Sequence, residues 1–295
     1  MLSSSAMDGL SAAELDAKLL EFLAEDVGSG DVTTEAIVSA DAVASAEIVA
    51  KSECVVSGLP ISRRVFELLD PTLSWEERAR PGSKVPPGTT LARLSGKARA
   101  ILTAERVALN LLQRTCGIAT TTRRYVEAVA GTGCSILDTR KTAPGLRAFD
   151  RAAVRDGGAS NHRFGLFDRV LIKDNHRALA GGVTAALEAV RRAAPDKMTV
   201  EVEVESEEDL REAVAGGADV LLIDNQTPET VSRWSRVARP GGLEIEASGK
   251  VDLGTVREYA LAGADSISVG RLTHSVEAAD ISLEISFPGA EASAR

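Results

Sequence analysis

Aromatic side chains are nearly missing from this chain: Phe, Trp and Tyr together make up 3% of its 295 residues. A surface that stacks nucleobases needs them, and it also needs positive charge, yet 43 acidic residues outweigh 34 basic ones for a net charge of -9. Nucleic-acid binding is therefore disfavoured. Cysteine is scarce as well. Cys54, Cys116 and Cys134 are an odd number with neither close pairing nor metal-ligand spacing, which argues against a disulfide framework and a cysteine-built zinc site. No uncharged apolar run reaches membrane-spanning length, and the opening MLSSSAMDGL lacks the basic start and apolar core of a secretory leader. The expectation is a soluble protein of a reducing compartment, the cytoplasm.

What the chain does have is aliphatic. Its hydrophobic share is 44% and rests on Val, Leu, Ile and Ala, a composition suited to parallel strands covered by Ala-rich helices. Its length allows one large α/β domain plus a smaller one. Residues 1–9 carry no pattern and are expected to be disordered. Ser11, followed by Leu15, Leu19, Phe22 and Leu23, predicts a capped helix that stops at Gly28. Asp31 is expected to cap a turn. Residues 42–56 read as strand, LPISRRVFELLD as a short helix and PTLSWEERAR as another strand. PGSKVPPGTTLARLSG resembles the hairpin of lipoyl and biotinyl modules, but Lys84 lacks the flanking methionines of a carrier lysine, so a structural hairpin is expected. A long helical pattern from Ala104 to Gly131 reads as the link between domains. It places Arg106 in its first turns, where the helix dipole disfavours a cation, so Arg106 is either solvated or faces an anion.

After Gly133 a grammar repeats: an apolar run, a polar residue at its end, then a helical segment. The runs are SILD, RVLIK, TVEVEV, VLLID, LEIEA and SISVG, with helices expected at roughly 146–157, 182–194, 206–216, 228–238 and 252–262. Successive units of this kind give parallel strands with right-handed crossovers, in a doubly wound sheet or a (β/α) barrel. No GxGxxG opens a helix, which weakens the dinucleotide-binding version.

In a barrel the residues that follow the strands converge on one mouth. That would gather Arg140, Lys141, Lys173, Glu203, Asp224, Ser248 with Gly249, and Gly270, giving a basic half and an acidic half. The stretch from Asp138 to His176 concentrates the cations, with Arg140, Lys141, Arg147, Arg151, Arg155, Arg163, Arg169 and Lys173 beside His162 and His176. Arg147, Arg151 and Arg155 are spaced like one solvated helix face. A charge placed directly after a buried strand is instead held at the sheet's rim, so Arg140, Lys141, Arg163 and Lys173 are expected to meet an anionic ligand. Small residues in SerGlyLys at 248–250 and ValGlyArg at 269–271 suit a phosphate cradle of backbone N–H groups. In TVEVEVES, Glu201, Glu203 and Glu205 share one face; three carboxylates packed on helices would be costly, so that face is expected to point inward, with Glu203 deeper than Glu205.

The run DTRKTAPGLRAFDRAAVRDGGASNHRFGLFDRVLIKDNH closely resembles the signature of the quinolinate phosphoribosyltransferases, and EDVGSGDVTT, AERVALNLL, EVEVES, LLIDN and VGRLTHS match that family too. The resemblance implies an N-terminal α/β sandwich domain over 1–117, joined by 273–295, and an open (β/α) barrel of about six parallel strands over 118–272. It implies transfer of phosphoribosyl from phosphoribosyl pyrophosphate to quinolinate with loss of CO2, in NAD biosynthesis, by a Mg2+-dependent homodimer. Arg140, His162, Arg163 and Lys173 would grip the quinolinate carboxylates, with Arg106 arriving from the partner subunit. Lys141, Glu203 and Asp224 would be catalytic, the two carboxylates holding the ribose hydroxyls and Mg2+. Ser248, Gly249, Lys250 and Gly270 would meet the phosphates; Lys250 stands where the family more often has Gly or Asn. The rival readings are a non-decarboxylating nicotinate phosphoribosyltransferase of the same fold, a lyase forming a Schiff base through Lys141 or Lys173, and a non-catalytic anion-binding protein.

Overall fold

A computed structural model describes residues 9–195 and 197–286. The disorder expected of the first residues and of the tail beyond Phe287 concerns 1–8 and 287–295, outside the described residues. In chain order the elements are α1 (Ala12–Val27), α2 (Val32–Ile37), β1 (Val43–Ala50), β2 (Cys54–Val55), α3 (Leu59–Leu69), β3 (Ser74–Glu77), β4 (Lys84–Val85), β5 (Thr90–Lys97) and α4 (Ala98–Ala128). They continue with β6 (Ser135–Leu137), α5 (Arg147–Asp156), β7 (Val170–Ile172), α6 (Asp174–Ala180), α7 (Val183–Ala193), β8 (Val200–Val204), α8 (Glu207–Ala215) and β9 (Val220–Asp224). Last come α9 (Pro228–Ala238), β10 (Glu244–Ser248), α10 (Val256–Leu261), β11 (Ser266–Ser268), α11 (Arg271–His274) and β12 (Ile281–Ser286). Among the described residues no helix is long and apolar enough to cross a membrane. The chain forms two compact units, one of Met1–Arg123, Ala143–Gly158 and Ser275–Arg295, the other of Arg124–Thr142 and Ala159–His274.

In the first unit α1 begins where Ser11 and Glu14 cap each other: Ser11 Oγ accepts the Glu14 amide at 3.3 Å while the Glu14 carboxylate accepts the Ser11 amide at 2.8 Å. Asp31 does the same for α2, accepting the Thr34 amide at 3.0 Å. Leu15, Leu19 and Leu23 then enter one core with Val65 and Phe66 of α3 and Ile101, Ala108 and Leu112 of α4. An antiparallel sheet in the order β12-β1-β5-β3 forms the other layer, so a strand near the C-terminus completes an N-terminal sheet.

Three local expectations change. β4 and β5 are not a hairpin: β4 pairs with β2, while β5 lies between β1 and β3, because alternate residues of β5 are needed in the main core. Lys84 forms an ion pair with Glu53 at 2.9 Å. The linking helix starts earlier than the sequence pattern suggested, since Ala98, Ile101 and Ala104 continue its buried face backwards, and Arg106 therefore lies well inside α4, clear of the dipole's positive end. Nor is α5 a solvated helix throughout. Phe149 is fully buried in the first unit's core, which explains why Ala143–Gly158 packs with that unit although it follows the first barrel-type strand, and Arg151 is 7% exposed.

The second unit is the parallel one. Its six strands lie in the order β6-β11-β10-β9-β8-β7, every neighbouring pair parallel, as an open (β/α) barrel-like sheet whose ends β6 and β7 are not paired with each other. The helices between them return the chain to the same edge, so every strand's C-terminal end faces one way. Carboxylates help to set the register of the strand starts. Asp219 accepts the Val200 amide at 2.8 Å and Asp265 the Ile245 amide at 2.9 Å.

Candidate functional site

Strand ends decide the site. A cavity of about 470 Å³ opens at the C-terminal ends of β6 to β11 and is lined by Thr139, Arg140 and Lys141 after β6, His162 and Arg163, and Lys173 after β7. Glu203 of β8, Asp224 of β9, Glu246 and Ser248 of β10 and Ser268 of β11 also line it, with Leu171, Asp174 and Leu222. One side is thus cationic and the other carries carboxylates, as the strand-end positions had suggested.

The inward face of β8 follows from its alternation. All five residues of VEVEV are buried, the valines toward the helices and the glutamates toward this polar interior. Glu201 is fully buried and lies 3.2 Å from His162 Nε2, with Arg169 donating to it from 3.4 Å. Glu203 is 6% exposed and holds Lys173 Nζ at 2.8 Å, whereas Glu205 is exposed. Carboxylate oxygens of Glu203, Glu205 and Asp224 all lie within 4.8 Å of one another, a hard-oxygen set able to take a divalent cation.

His162 sits in a carboxylate-lined slot, its side chain 7% exposed, with Glu246 3.5 Å from the same Nε2 that faces Glu201. Burial works against its charge, but the carboxylates of Glu201 and Glu246 beside Nε2 more than offset this and raise its pKa to about 9. The Arg163 amide N–H reaches Nδ1 at 2.7 Å, so in the neutral ring Nε2 carries the proton toward the carboxylates. A second proton must displace that amide, which opposes the rise. Burial pushes the Glu201 carboxyl up, and His162 opposes it. Arg163 is 9% exposed, donates to the Arg169 carbonyl at 3.1 Å and feels both burial and the nearby Arg140, each of which disfavours its charge. An anion in the cavity would relieve that strain.

The cavity brings together Arg140, Lys141, His162, Arg163, Lys173, Glu203, Asp224 and Ser248. Gly249 and Gly270 do not line it but adjoin it in the turns after β10 and β11. At Gly249, with φ of +116°, a Cβ would come within 2.6 Å of Asn225, and at Gly270 one would meet Lys141 at 2.9 Å. Lys250 is exposed in the bend after β10. Arg106 belongs to the first unit, where it lines a groove with Phe22, Glu25, Asp26 and Asn110, and is not among the residues of this cavity. Glu246, Ser268, Thr139 and the buried Glu201 were not singled out as site residues. The signal for Glu246 was present: LEIEAS alternates as TVEVEV does, placing Glu246 and Ser248 on one face.

Residues 31–116 match the family described as quinolinate phosphoribosyl transferase, N-terminal domain, and residues 118–284 match its C-terminal domain. The chain is 43% identical over 274 residues to the probable nicotinate-nucleotide pyrophosphorylase [carboxylating] of Bacillus subtilis, covering 93% of this chain and 94% of that one. It is 41% identical to the nicotinate-nucleotide pyrophosphorylase [carboxylating] of Mycobacterium leprae, over 94% of this chain and 100% of the relative. Its structure resembles that of NadC from Streptococcus pyogenes, with a TM-score of 0.90 at 38% identity, covering 95% of this chain and 99% of that one.

Proposed function

Because the chain belongs to the quinolinate phosphoribosyltransferase family, we propose that it transfers phosphoribosyl from phosphoribosyl pyrophosphate to quinolinate with decarboxylation, yielding nicotinate mononucleotide, CO2 and pyrophosphate for NAD biosynthesis. One observation carries this most directly: a single cavity sets Arg140, Lys141, Arg163 and Lys173 against Glu203 and Asp224. The cations suit a dicarboxylate, since an arginine fork binds a carboxylate bidentately, and the acidic side suits a ribose with its metal-bound pyrophosphate.

Each residue then has a task. Arg140, His162, Arg163 and Lys173 orient the two carboxylates so that the pyridine nitrogen faces the anomeric carbon. As that carbon loses pyrophosphate it gains oxocarbenium character, which the carboxylates of Glu203 and Asp224 stabilise by their fixed charge while Lys141 faces the leaving group. Ser248, Gly249, Lys250 and Gly270 meet the phosphates. The nitrogen forms the new bond to carbon, the carbon–oxygen bond breaks and pyrophosphate leaves with the electron pair. The ring is now a pyridinium, so the bond from its 2-carbon to the adjacent carboxylate can break, releasing CO2; the electron pair left on that carbon takes a proton. Glu203, Glu205 and Asp224 fit Mg2+ by their donor chemistry, and the ion would supply neutralisation of the leaving pyrophosphate.

The Lys173–Glu203 ion pair at 2.8 Å disfavours a Schiff-base role for Lys173, because its nitrogen is already engaged by a carboxylate. Arg106 is assigned to the partner subunit's site in a homodimer, consistent with its place in a groove of the first unit. Three free cysteines accord with a reducing cytoplasm.

The test is direct. Purified protein incubated with Mg2+, phosphoribosyl pyrophosphate and quinolinate labelled in its 2-carboxylate is expected to release labelled CO2 in step with mononucleotide. Turnover of nicotinate with no CO2 release from quinolinate would instead establish the non-decarboxylating reading.

A further inference from the structure

We propose that Asp138 is a positioning residue for the diacid site: it fixes the spacing between the two cation-bearing segments, Arg140–Lys141 and His162–Arg163, without touching substrate. This rests on the functional reading above and deepens it. Asp138 follows β6 directly and is fully buried, a location in which a carboxylate is costly unless its oxygens are satisfied. Both are turned to the neighbouring loop. One oxygen accepts the His162 amide at 2.7 Å and the other accepts Asn161 Nδ2 at 2.7 Å. The backbones join in the same place, where the Asp138 amide donates to Ser160 at 3.3 Å and Ser160 donates to Ile136 at 2.9 Å. The loop thereby adds itself to the edge of β6 as an isolated parallel bridge between Leu137 and Ser160.

The consequence lies a few residues further along each segment. Arg140 and Lys141 follow Asp138, and Arg163 follows His162; all of them line the cavity. Like charges aimed into one cavity repel, and Arg140 already disfavours the charge on Arg163. Besides the backbone bonds of a short parallel bridge, a buried carboxylate bonded across it helps to hold the two segments at one separation against that repulsion. A diacid gripped from both segments is sensitive to that separation. The ribose and phosphate groups depend on it less: Lys141 faces the leaving group from this segment, but their other contacts come from residues of β8 to β11.

The experiment compares Asp138→Ala, Asp138→Asn and the exchange variant Asp138→Asn/Asn161→Asp by steady-state kinetics with each substrate varied in turn. The exchange keeps both bonds in reversed sense: the side-chain carbonyl of the new amide at position 138 accepts the His162 amide, and its NH2 donates to the carboxylate at position 161. Asp138→Ala is expected to raise KM for quinolinate about tenfold or more, with KM for phosphoribosyl pyrophosphate within about threefold. Asp138→Asn, in which Asn161 must turn its amide over to keep the second bond, falls between, and the exchange variant returns the quinolinate KM to within about threefold of the parent. If Asp138→Ala does not fold, the comparison of Asp138→Asn with the exchange variant carries the test. An unchanged quinolinate KM, both KM values rising in parallel, or an exchange variant no better than Asp138→Asn overturns the proposal. Should the unsubstituted protein fail to release CO2 from quinolinate, the functional reading falls, and this inference with it.

Discussion

A guanidinium is a planar fork and an ammonium is a point, and the proposed grip of Arg163 on quinolinate turns on that difference. Its buried side chain is held by the Arg169 carbonyl at 3.1 Å, so Arg163→Lys loses the fork and its anchor together. Quinolinate affinity is expected to fall about tenfold or more in a calorimetric titration, roughly 1.4 kcal/mol, although net charge is unchanged. Retention of the parent affinity would remove Arg163 from the diacid site. His162 gives a prediction about pH. Its folded pKa, raised to about 9 from 6.5, means that the stabilisation by Glu201 and Glu246 is complete below about pH 6.5 and is lost as pH rises through about 9. Glu246→Gln should therefore be less stable than the parent by at most about 3 kcal/mol near pH 6, and the gap should close by about pH 9.5 in urea unfolding. With three histidines in the chain, an NMR titration can assign the shifted one, and a gap that widens with pH would refute the assignment.

Helix pairs and strand ends govern the next scale. In the first unit α4 and α5 are tied by Arg114, whose Nε and Nη2 each donate to the Asp150 carboxylate at 2.8 Å. Asp150 is fully buried; burial pushes its pKa up and Arg114 opposes that. Arg114→Leu leaves the carboxylate without its bidentate partner, and the unfolding free energy is expected to drop by about 3–5 kcal/mol, with partial recovery in Arg114→Leu/Asp150→Asn. Equal stability of the single and double variants would show that the ion pair does not tie the helices. Gly117, further along α4, passes so near the chain at Glu277 that a Cβ would lie 2.1 Å from its carbonyl oxygen, which explains glycine in the middle of a long helix. Apolar runs ending in a charged or polar residue were sufficient to find all six parallel strands. They could not find β2 with β4, because a two-residue pairing leaves no periodicity. The same limit misplaced the start of α4, where strand β5 passes into helix with no cap motif between them.

For the whole molecule, the assignment of Arg106 to a partner's site makes a prediction about subunit exchange. Arg106→Ala and Glu203→Gln homodimers should each be nearly inactive, while dimers mixed after dissociation should regain up to about a quarter of parent activity, because half of the molecules are heterodimers with one intact site. No recovery on mixing, with heterodimers verified by mass, would mean that Arg106 serves its own chain or no site. The sequence by itself determined the strand grammar, the inward face of Glu201 and Glu203, and the family, because side-chain periodicity and local motifs are written along the chain. It also placed Arg140, Lys141, Lys173 and Asp224 at strand ends, where a parallel sheet must bring them to one rim. Only the tertiary structure decided that Asp138 bonds the loop at His162, that Glu246 faces His162 across the sheet, and that α5 packs with the first unit through Phe149. Each of those depends on which segments become neighbours, and a hydrogen bond or a buried ring between residues far apart in sequence leaves no period by which to read it.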